Sequence, residues 1–459
     1  MRKIVFTLVA ALFAVAAHAR TVDLVISGGT ILTMAGDNIE RGSIAVDKGV
    51  IVAVGPASEI DRQYTGRTTI RAGGFAVLPG FVNAHTHAPM TLFRGFADDR
   101  ELMDWLQNFL FPAEAKNVDR DFVKWGTRLA AAEMIRSGTT TFADMYYFES
   151  DIARETKAAG LRGVLGETLI DFPAPDNKTW DAAIAYMRKY VAEWKGDALI
   201  TPAFAPHAPF TVSREHLQQV RALATELGVP ILIHVSETKN ELAQVAEKQN
   251  KMTPAAYLDS IGFLGDDVTI NHGVWLTPAE MQTLAAKKVG VAHCPESNMM
   301  LASGIAPVVE MRLADIDVGL GTDGPAGSNN NLDMLEEAAS AARLQKVAKM
   351  DPQALSARDV LAMATIGGAR ALNLDSKIGT LETGKRADII IVELDQAKTQ
   401  PVYSVESAIV YAASGNSVVT TIVDGKVLMR NRKLLTVDEA AAIAKAREYR
   451  AKVLESLKR

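Results

Sequence analysis

The sequence has almost no cysteine, no excess of charge of one sign and no apolar run long enough to cross a membrane. Its 459 residues include one cysteine, Cys294, so no intramolecular disulfide can form and stability must come from a hydrophobic core. The 49 basic and 54 acidic residues give a net charge of −5, which provides no electrostatic basis for binding nucleic acid or anionic lipid. We therefore expect a small neutral or cationic ligand rather than a polyanion.

The most apolar segment lies at the N terminus. Basic residues at positions 2 and 3 precede an apolar run over 4–15, and the Ala-His-Ala sequence ending at Ala19 has the small-x-small pattern of a cleavage site. The alternative, a membrane anchor, is disfavoured because the run is well short of the ~20 residues that a spanning helix needs. We predict a signal peptide over 1–19, cleavage near Ala19, a secreted or periplasmic protein and no stable membrane anchor.

Short strand-like runs that end in polar residues alternate with helix-like stretches over the central part of the chain. The helix-like stretch 213–228, SREHLQQVRALATELG, begins with a serine and stops at a glycine, as capped helices do. The strand-like runs lie at 78–87, 139–146, 161–170, 200–207, 230–237, 268–275, 289–297 and 317–323. Strand and helix in alternation predict an α/β fold of the (β/α)₈ TIM-barrel type.

Both ends of the chain have a different texture, with short strands broken by glycine-rich turns, as in DLVISGGTILTM and VVTTIVDGKVLM. We predict one small β-sandwich domain built from the two ends, followed by a charged C-terminal helix. The predicted limits are 1–19 for the signal peptide, 20–76 and 376–435 for the β-sandwich, 77–375 for the barrel and 436–459 for the helix.

Histidines cluster at the ends of the predicted barrel strands, where barrel enzymes carry their chemistry. Five of the eight histidines lie there: His85, His87, His207, His234 and His272. Alternate side chains of a strand point the same way, so a His-x-His pair presents two imidazoles on one face. The set predicted to hold one metal ion is His85, His87, His234 and Asp323. Three imidazoles and a carboxylate with an open position suit Zn²⁺ or Fe²⁺.

Two carboxylates beside this set are candidates for proton transfer. Glu237 follows His234 by three residues, just past the strand end, so it can sit beside the reactive water without binding the metal. Asp323 follows the last strand, which neighbours the first once the barrel closes, so it can bind the metal and also accept a proton. The alternative for Asp323 is a turn residue before Gly324 and Pro325.

Several motifs carry a resemblance to a known family: LPGFVNAHTHAPMTLFRGFADD, APHAPFTVS, HVSET, NHGVW, SNMMLASGIAPV, GTDGPAGSNNNLDM and IGTLETGKRADIIIV. The chain resembles the amidohydrolase superfamily, and within it the methylthioadenosine/S-adenosylhomocysteine deaminase branch, which is related to chlorohydrolases and to guanine and cytosine deaminases. The resemblance covers essentially the whole chain after residue 19.

The resemblance implies one divalent metal ion, zinc or ferrous iron, because His207 stands where two-metal members usually carry a modified lysine. It implies that Glu237 is the proton-transfer acid and that His272 orients the hydrolytic water. It also implies that Glu114 binds the ribose hydroxyls, that His207 contacts the substrate and that Trp105 walls the pocket. The alternative for Glu114 is a structural acid at a helix start.

This chain departs from the family pattern at residues expected to contact the substrate. Where relatives that favour S-adenosylhomocysteine are expected to carry an arginine at the third strand end, this chain has Glu167, which would repel a carboxylate. Lys178 is a partial substitute, and Met300 replaces a lysine that many relatives have. We therefore expect deamination of adenosine or 5′-methylthioadenosine, less readily of S-adenosylhomocysteine.

Two alternatives remain open at this point. One is hydrolysis of another aminated or chlorinated heterocycle, such as guanine, pterin, cytosine or a triazine, because loops set the choice of ring and leaving group. The other is a barrel that has kept the metal site and lost activity. A homo-oligomer is compatible with the sequence.

Overall fold

The structure is a computed structural model that describes residues 19–458, so the predicted signal peptide lies outside the described residues except for Ala19. Its strands are β1 (Arg20–Ile31), β2 (Ile39–Asp47), β3 (Val50–Pro56), β4 (Tyr64–Arg71), β5 (Phe75–Pro79), β6 (Phe81–Thr86), β7 (Thr139–Tyr146), β8 (Arg162–Leu169), β9 (Ile200–Pro206), β10 (Ile231–Val235), β11 (Val268–His272), β12 (Gly290–His293), β13 (Val318–Leu320), β14 (Ile389–Glu393), β15 (Val418–Val423), β16 (Lys426–Arg430) and β17 (Lys433–Leu434).

The helices connect and cover these strands. They are α1 (Ala57–Gln63), α2 (Leu102–Asp104), α3 (Phe111–Asn117), α4 (Arg120–Ser137), α5 (Glu149–Ala159), α6 (Trp180–Trp194), α7 (Arg214–Leu227), α8 (Lys239–Lys248), α9 (Pro254–Ser260), α10 (Pro278–Ala286), α11 (Pro295–Met300), α12 (Val308–Leu313), α13 (Met334–Lys349), α14 (Ala357–Ala362), α15 (Gly368–Ala371), α16 (Val405–Tyr411) and α17 (Glu439–Leu457). Short 3₁₀ segments lie at Ala88–Phe93 and Gly415–Ser417, and π-helical segments at Trp105–Leu110 and Met363–Gly367.

Strands β6 to β13 close into a parallel barrel, with β13 hydrogen-bonded to β6. Each of these strands lies within one of the runs that the sequence predicted, so the predicted (β/α)₈ barrel is confirmed. Apart from the partly exposed Thr201 in β9, these strands are buried along their whole length because helices cover the barrel from outside. In a parallel barrel all carboxyl ends of the strands meet at one rim, which is where the predicted site residues lie.

The strands from the two chain ends form a separate mixed sheet in the order β17-β16-β15-β14-β5-β1-β2-β3, with β4 beside β1. Strand β14 from the C-terminal part pairs with β5 from the N-terminal part, so the predicted small β domain built from both ends is confirmed. Its strands belong to one continuous sheet within residues 19–458. The domain limits given above stay predictions.

Gly80 joins this sheet to the barrel, since β5 ends at Pro79 and β6 begins at Phe81. A Cβ atom at Gly80 would lie only 2.1 Å from Cγ2 of Thr140 in β7. Only glycine therefore allows the chain to pass from one sheet to the other at this close approach.

Local sequence signals explain where individual helices begin and end, and therefore where the next strand starts. The Asp119 carboxylate caps α4 by accepting a hydrogen bond from the Phe122 N–H at 2.8 Å, and the helix ends at Gly138, whose φ is 95°. Strand β7 begins at the next residue. No helix within residues 19–458 combines the length and the apolar character that crossing a bilayer requires.

Candidate active site

His85 and His87 converge on Asp323 at the rim where the barrel closes. Oδ1 of Asp323 lies 3.3 Å from Nε2 of His85 and 3.2 Å from Nε2 of His87. The pairing of β6 with β7 shifts by one residue between Asn83 and Thr86, and such a bulge re-aims side chains beside functional sites. The first and last barrel strands thus bring three of the four predicted metal ligands together.

His234 and His272 complete the cluster from β10 and β11. Their ring centroids lie 5.0 and 5.5 Å from that of His85. Two overlapping sets of ligand atoms, each within 4.8 Å, share His85: one with His87 and Asp323, the other with His234 and His272. All four predicted ligands are therefore close together, and His272 is near enough to face the same centre.

The donor chemistry fits a divalent cation. Nε2 of His85 is fully buried and has no hydrogen-bond partner among the described residues, although buried polar atoms are normally paired. The Nδ1 atom of His234 faces the carbonyl of His207 at 2.8 Å, and Nδ1 of His87 faces the carbonyl of Met145. Since each carbonyl accepts the Nδ1–H, Nε2 is the atom of each ring that would face a metal ion, and His87 would give up the Nε2 proton that it shares with Asp323.

The electrostatics of the cluster also favour a cation. Burial lowers the pKa of His85 to about 4, so its ring is neutral at physiological pH. Burial opposes protonation of His87 as well, but the hydrogen bond and charge of Asp323 raise the pKa of His87 to about 9. Burial likewise opposes ionisation of Asp323, yet the rings of His85 and His87, whose Nε2 atoms lie 3.3 and 3.2 Å from Oδ1, hold the pKa of Asp323 well below the usual range. The ionised Asp323 thus requires a positive charge among these rings.

Glu237 lies at the same centre without joining either set of ligand atoms. Its Oε2 atom is 3.8 Å from Nε2 of His272, and both side chains line the cavity described below. Burial, and then the charge of Asp323, raise the pKa of Glu237 to about 8. A carboxyl group in this environment carries a proton at neutral pH and can donate it.

Backbone strain is concentrated at this rim. His272 and Asp323 have φ angles of 71° and 62°, and Ser236, just before Glu237, has 57°. Residues with side chains rarely adopt this left-handed conformation, and it recurs where a structure must aim a side chain. Histidine and aspartate are among the non-glycine residue types that adopt this conformation most readily, but their presence does not predict it at a given position.

A cavity opens onto the cluster. Its walls are mainly aromatic and aliphatic: Met90, Leu102, Trp105, Leu106, Leu110, Phe111, Met145, Tyr146, Tyr147, Ala208, Phe210 and Leu301. Glu114, Thr168 and His207 add polar groups, and Glu237, His272 and Asp323 lie at the histidine cluster. A largely apolar cavity with a few convergent polar groups is typical of small-molecule sites.

Glu114, His207 and Trp105 all lie on this cavity, as predicted from the resemblance. Oε1 of Glu114 is buried without a partner among the described residues, and burial raises the pKa of Glu114 to about 7. His207 bonds Oγ1 of Thr211 through Nδ1 at 3.0 Å. Trp105 donates from Nε1 to the carbonyl of Ala326 at 3.0 Å, which joins the 102–111 segment to the loop after Asp323.

Glu167 requires a correction, because the structure does not place it on the cavity. Its neighbour Thr168 faces the cavity, whereas the Glu167 carboxylate accepts hydrogen bonds from the Glu149 N–H at 2.9 Å and from Asn177 at 3.3 Å. Alternation along β8 turns Glu167 to the outer face of the barrel. It therefore cannot contact a substrate carboxylate in the cavity.

Lys178 and Met300 also lie away from the cavity wall. Lys178 donates to the backbone carbonyls of Ala174 and Pro175, and the side chain of Met300 is exposed. The described residues that line the cavity include no lysine and no arginine. The absence of a cation, rather than the presence of Glu167, is what disfavours a carboxylate here.

Three residues that bond groups of the site were not predicted from the sequence. Ser297 donates from Oγ to Oδ2 of Asp323 at 2.6 Å, and Asn298 faces Nδ1 of His272 through Oδ1 at 3.1 Å. Glu241 accepts from the N–H groups of Ser236 and Glu237 at 2.9 and 2.6 Å. The available signal was their position at or just after the end of a predicted strand, in or next to the SNMMLASGIAPV and HVSET motifs.

Comparison with known proteins places the chain among metal-dependent hydrolases. Residues 76–428 match the amidohydrolase family. The chain is 44% identical over 439 residues to 5-methylthioadenosine/S-adenosylhomocysteine deaminase 1 of Syntrophus aciditrophicus, covering 95% of this chain and 99% of that protein. It is 44% identical to the 5′-deoxyadenosine deaminase of Methanobrevibacter smithii, covering 91% and 94%. A crystal structure of an adenosine deaminase from Xanthomonas campestris with bound zinc superimposes with a TM-score of 0.93 at 40% identity, covering 95% of this chain and 100% of the other.

Proposed function

The chain belongs to the amidohydrolase family and is a hydrolytic deaminase, and we propose that its substrate is an adenine nucleoside whose 5′ substituent carries no carboxylate. The observation that carries this proposal is one cavity in which Glu237 and His272 face the metal cluster while Glu114 presents a buried, unpaired carboxylate oxygen. Adenosine, 5′-deoxyadenosine and 5′-methylthioadenosine all meet this description.

We propose that one divalent metal ion, zinc in preference to ferrous iron, is held by His85, His87, His234 and Asp323. When bound, such an ion would act as a Lewis acid and lower the pKa of a water molecule toward neutrality. The crystallised Xanthomonas campestris relative contains zinc, and the donor set of imidazoles and one carboxylate suits that metal.

The side chains around the cluster can carry out each proton transfer that a deamination requires. Hydroxide from water adds to C6 of the purine, and Asp323 and His272 orient that water and accept its proton. Glu237 delivers its proton to the ring nitrogen beside C6, takes up the proton that Asp323 and His272 accepted from the water, and passes that proton to the amine. The C6–N bond then breaks, and the proton of the new C6 hydroxyl returns to Glu237 as the carbonyl forms. Ammonia departs and the hypoxanthine nucleoside remains. The elevated pKa of Glu237, due first to its burial, agrees with a group that starts protonated.

Glu114 is proposed to bind the ribose hydroxyls. Its carboxylate is buried in the cavity wall with Oε1 unpaired, and an ionised carboxylate accepts two hydroxyl hydrogen bonds well. The cost of leaving such a group without a partner is removed when a substrate hydroxyl donates to it. A free base lacks these hydroxyls and would leave Glu114 unpaired.

The apolar walls account for the preference at the 5′ position. Leu102, Leu106, Leu110, Phe111 and Phe210 line the cavity, and they offer contact to a methyl or thiomethyl group but no counter-ion to a carboxylate. Arg214 and Lys248 lie on a neighbouring groove that shares Leu106, Phe111 and Phe210 with the cavity. An amino-acid chain on the substrate would have to extend past this aromatic boundary to meet a cation.

The test is ammonia release by the zinc-loaded protein from adenosine, 5′-deoxyadenosine, 5′-methylthioadenosine, S-adenosylhomocysteine, guanine, cytosine, a pterin and a chlorinated triazine. We expect kcat/KM for the uncharged nucleosides to exceed that for S-adenosylhomocysteine. A preference for S-adenosylhomocysteine would show that the carboxylate reaches a cation. Activity only on free bases or triazines would return Glu114 to a structural role, and no activity on any substrate would favour a barrel that only binds metal.

We also propose that the protein is exported after cleavage near Ala19. The motif over 1–19 supports this, and the first strand begins at Arg20, so cleavage there would leave the sheet whole. N-terminal sequencing of the protein recovered outside the cytoplasm tests it, with Arg20 expected as the first residue and an intact leader as the contrary result. Homo-oligomerisation and the absence of nucleic-acid binding stay predictions.

A further inference from the structure

Helix α11 carries two adjacent buried residues that bond two different groups of the site. Oγ of Ser297 donates to Oδ2 of Asp323 at 2.6 Å. Oδ1 of Asn298 faces Nδ1 of His272 at 3.1 Å. Both residues are at most 1% exposed, and neither lines the cavity itself. One short helix is thus connected both to a proposed metal ligand and to the proposed water-orienting histidine.

We propose that Ser297 and Asn298 are positioning residues for the deamination: Ser297 fixes the rotation of the Asp323 carboxylate, and Asn298 fixes the tautomer of His272. This inference rests on the proposed function. Ser297 and Asn298 would thus set the directions of the hydrogen bonds that Asp323 and His272 make at the reacting centre. Neither residue touches the substrate in this assignment, so neither is catalytic.

Ser297 acts on the oxygen of Asp323 that faces away from the histidines. Oδ1 faces His85 and His87 and accepts from the Gly324 N–H at 2.7 Å, whereas Oδ2 accepts from Ser297. With one donor on each oxygen the carboxylate plane cannot rotate freely. Oδ1 is therefore held where a metal ion would meet it, and the hydrogen bond to a ligating carboxylate is the kind of outer contact that tunes metal affinity.

Asn298 acts on the ring nitrogen of His272 that faces away from Glu237. With the amide oxygen toward Nδ1, the ring must carry its proton on Nδ1, and Nε2 keeps a lone pair directed toward Glu237, 3.8 Å away. His272 is then an acceptor at the reacting centre and can take a hydrogen bond from water. The opposite orientation of the amide would make Nε2 a donor and reverse this role.

The helix is itself anchored, which allows it to act as a fixed support. The Asn298 N–H donates to the carbonyl of Cys294 at 3.0 Å, and the Ser303 N–H donates to the carbonyl of Asn298 at 2.8 Å. The side chain of Glu296 accepts from Ser340 of α13 at 2.8 Å. Side chains on a rigid support lose little entropy when they orient a neighbour.

The tautomer of His272 is measurable by ¹⁵N NMR of the full-length mature protein labelled at histidine, with the His272 signals assigned from their absence in His272→Gln. We expect an Nδ1–H ring in the wild type and in Asn298→Asp, which keeps the acceptor oxygen. In Asn298→Leu, of similar size but without an acceptor, we expect Nε2–H to appear and kcat to fall about 10- to 100-fold with KM nearly unchanged. An Nε2–H ring in the wild type, or an unchanged ring in Asn298→Leu, would overturn the assignment.

Ser297→Ala tests the second half through zinc affinity, measured by competition with a chromogenic chelator. We expect affinity to fall about 10- to 100-fold. Ser303→Ala is the matched control, because the Ser303 hydroxyl is buried with no hydrogen-bond partner among the described residues, and we expect its affinity to equal the wild type. Equal affinities in wild type and Ser297→Ala would refute the role of Ser297.

These readouts separate the inference from the proposed function. Both the NMR spectrum and the zinc affinity are obtained without a substrate. A wild-type protein with the expected tautomer and zinc affinity that deaminates no nucleoside would contradict the proposed function alone. A wild-type protein that deaminates adenosine, with a His272 tautomer unchanged by Asn298→Leu and a zinc affinity unchanged by Ser297→Ala, would contradict the positioning roles alone.

Discussion

Asp323 is joined to His85 through both its backbone and its side chain. Its N–H donates to the His85 carbonyl at 3.0 Å, while Oδ1 lies 3.3 Å from Nε2 of the same histidine. His85 belongs to the first barrel strand, and Asp323 follows the last, which is only three residues long. The contact that closes the barrel at its rim is therefore also the contact that assembles the proposed metal site.

His85→Ala should abolish tight zinc binding, because His85 is shared by both sets of ligand atoms. We expect the variant to retain less than about a tenth of the zinc of the wild type after dialysis and to melt at lower temperature, since a metal that binds only the folded state stabilises it. Metal analysis and calorimetry measure the two effects. His216→Ala is the control, as His216 bonds Asp171 on the outside of the barrel. Full zinc content in His85→Ala would contradict the assignment.

Glu237→Gln should lower kcat by about 10² to 10⁴ while zinc content stays at the wild-type level, because the amide fills the same space but cannot transfer a proton. Steady-state ammonia release and metal analysis on one preparation give both numbers. Glu247→Gln, an exposed position on the following helix, should leave both unchanged. Turnover within a few-fold of the wild type would remove Glu237 from proton transfer.

The barrel and the proximity of the proposed metal ligands could be predicted from the sequence because both depend on patterns that are local along the chain. Each of the eight strands is a short apolar run, and His85, His87, His234 and Asp323 lie at or just beyond strand ends. A parallel barrel brings all such ends to one rim, so their proximity follows from topology.

The direction of the Glu167 side chain could not be predicted from strand positions. The prediction that it faces the substrate came from its match to the family position at the end of the third barrel strand, but adjacent residues of β8 alternate and Thr168 takes the cavity face. Ser297 and Asn298 were missed for a related reason, since their hydrogen bonds depend on side-chain directions that spacing does not define. The shift in register between β6 and β7 likewise has no sequence signature, and histidine and aspartate permit the left-handed angles at positions 272 and 323 without requiring them.

Gly80→Ala should destabilise the fold by about 1–3 kcal/mol, because the new methyl group would overlap Thr140 at the junction of the two sheets. Urea denaturation of the zinc-free protein measures this change in the free energy of unfolding. Gly36→Ala is the matched control, since nothing lies within 4 Å of a Cβ atom there, and its unfolding should match the wild type. An unchanged midpoint in Gly80→Ala would show that β5 and β6 can separate at little cost.

Glu114→Gln should weaken nucleoside binding while leaving the chemistry at the metal cluster intact. Replacing a charged acceptor by a neutral one removes about 1.5–3 kcal/mol, so kcat/KM for adenosine or 5′-methylthioadenosine should fall roughly 10- to 100-fold. Activity on 2′,3′-dideoxyadenosine, which lacks the ribose hydroxyls, should be low in the wild type and change little in the variant. Equal losses on both nucleosides would contradict a ribose contact.

Glu114 should also make stability depend on pH. Burial raises the pKa of Glu114 from its usual value near 4.5 to about 7, so between these pH values the folded chain binds this proton more tightly than the unfolded chain does. Stability should therefore fall as pH rises from about 4.5 to about 7, by at most about 3 kcal/mol, and this contribution should be constant above that range. Glu114→Gln lacks the ionisation, so the variant should gain stability relative to the wild type across the same interval. Urea unfolding of both proteins in the zinc-free form at pH 5, 6, 7 and 8 measures the difference, and a gap that stays constant with pH would show that Glu114 ionises as readily in the folded cavity as in water.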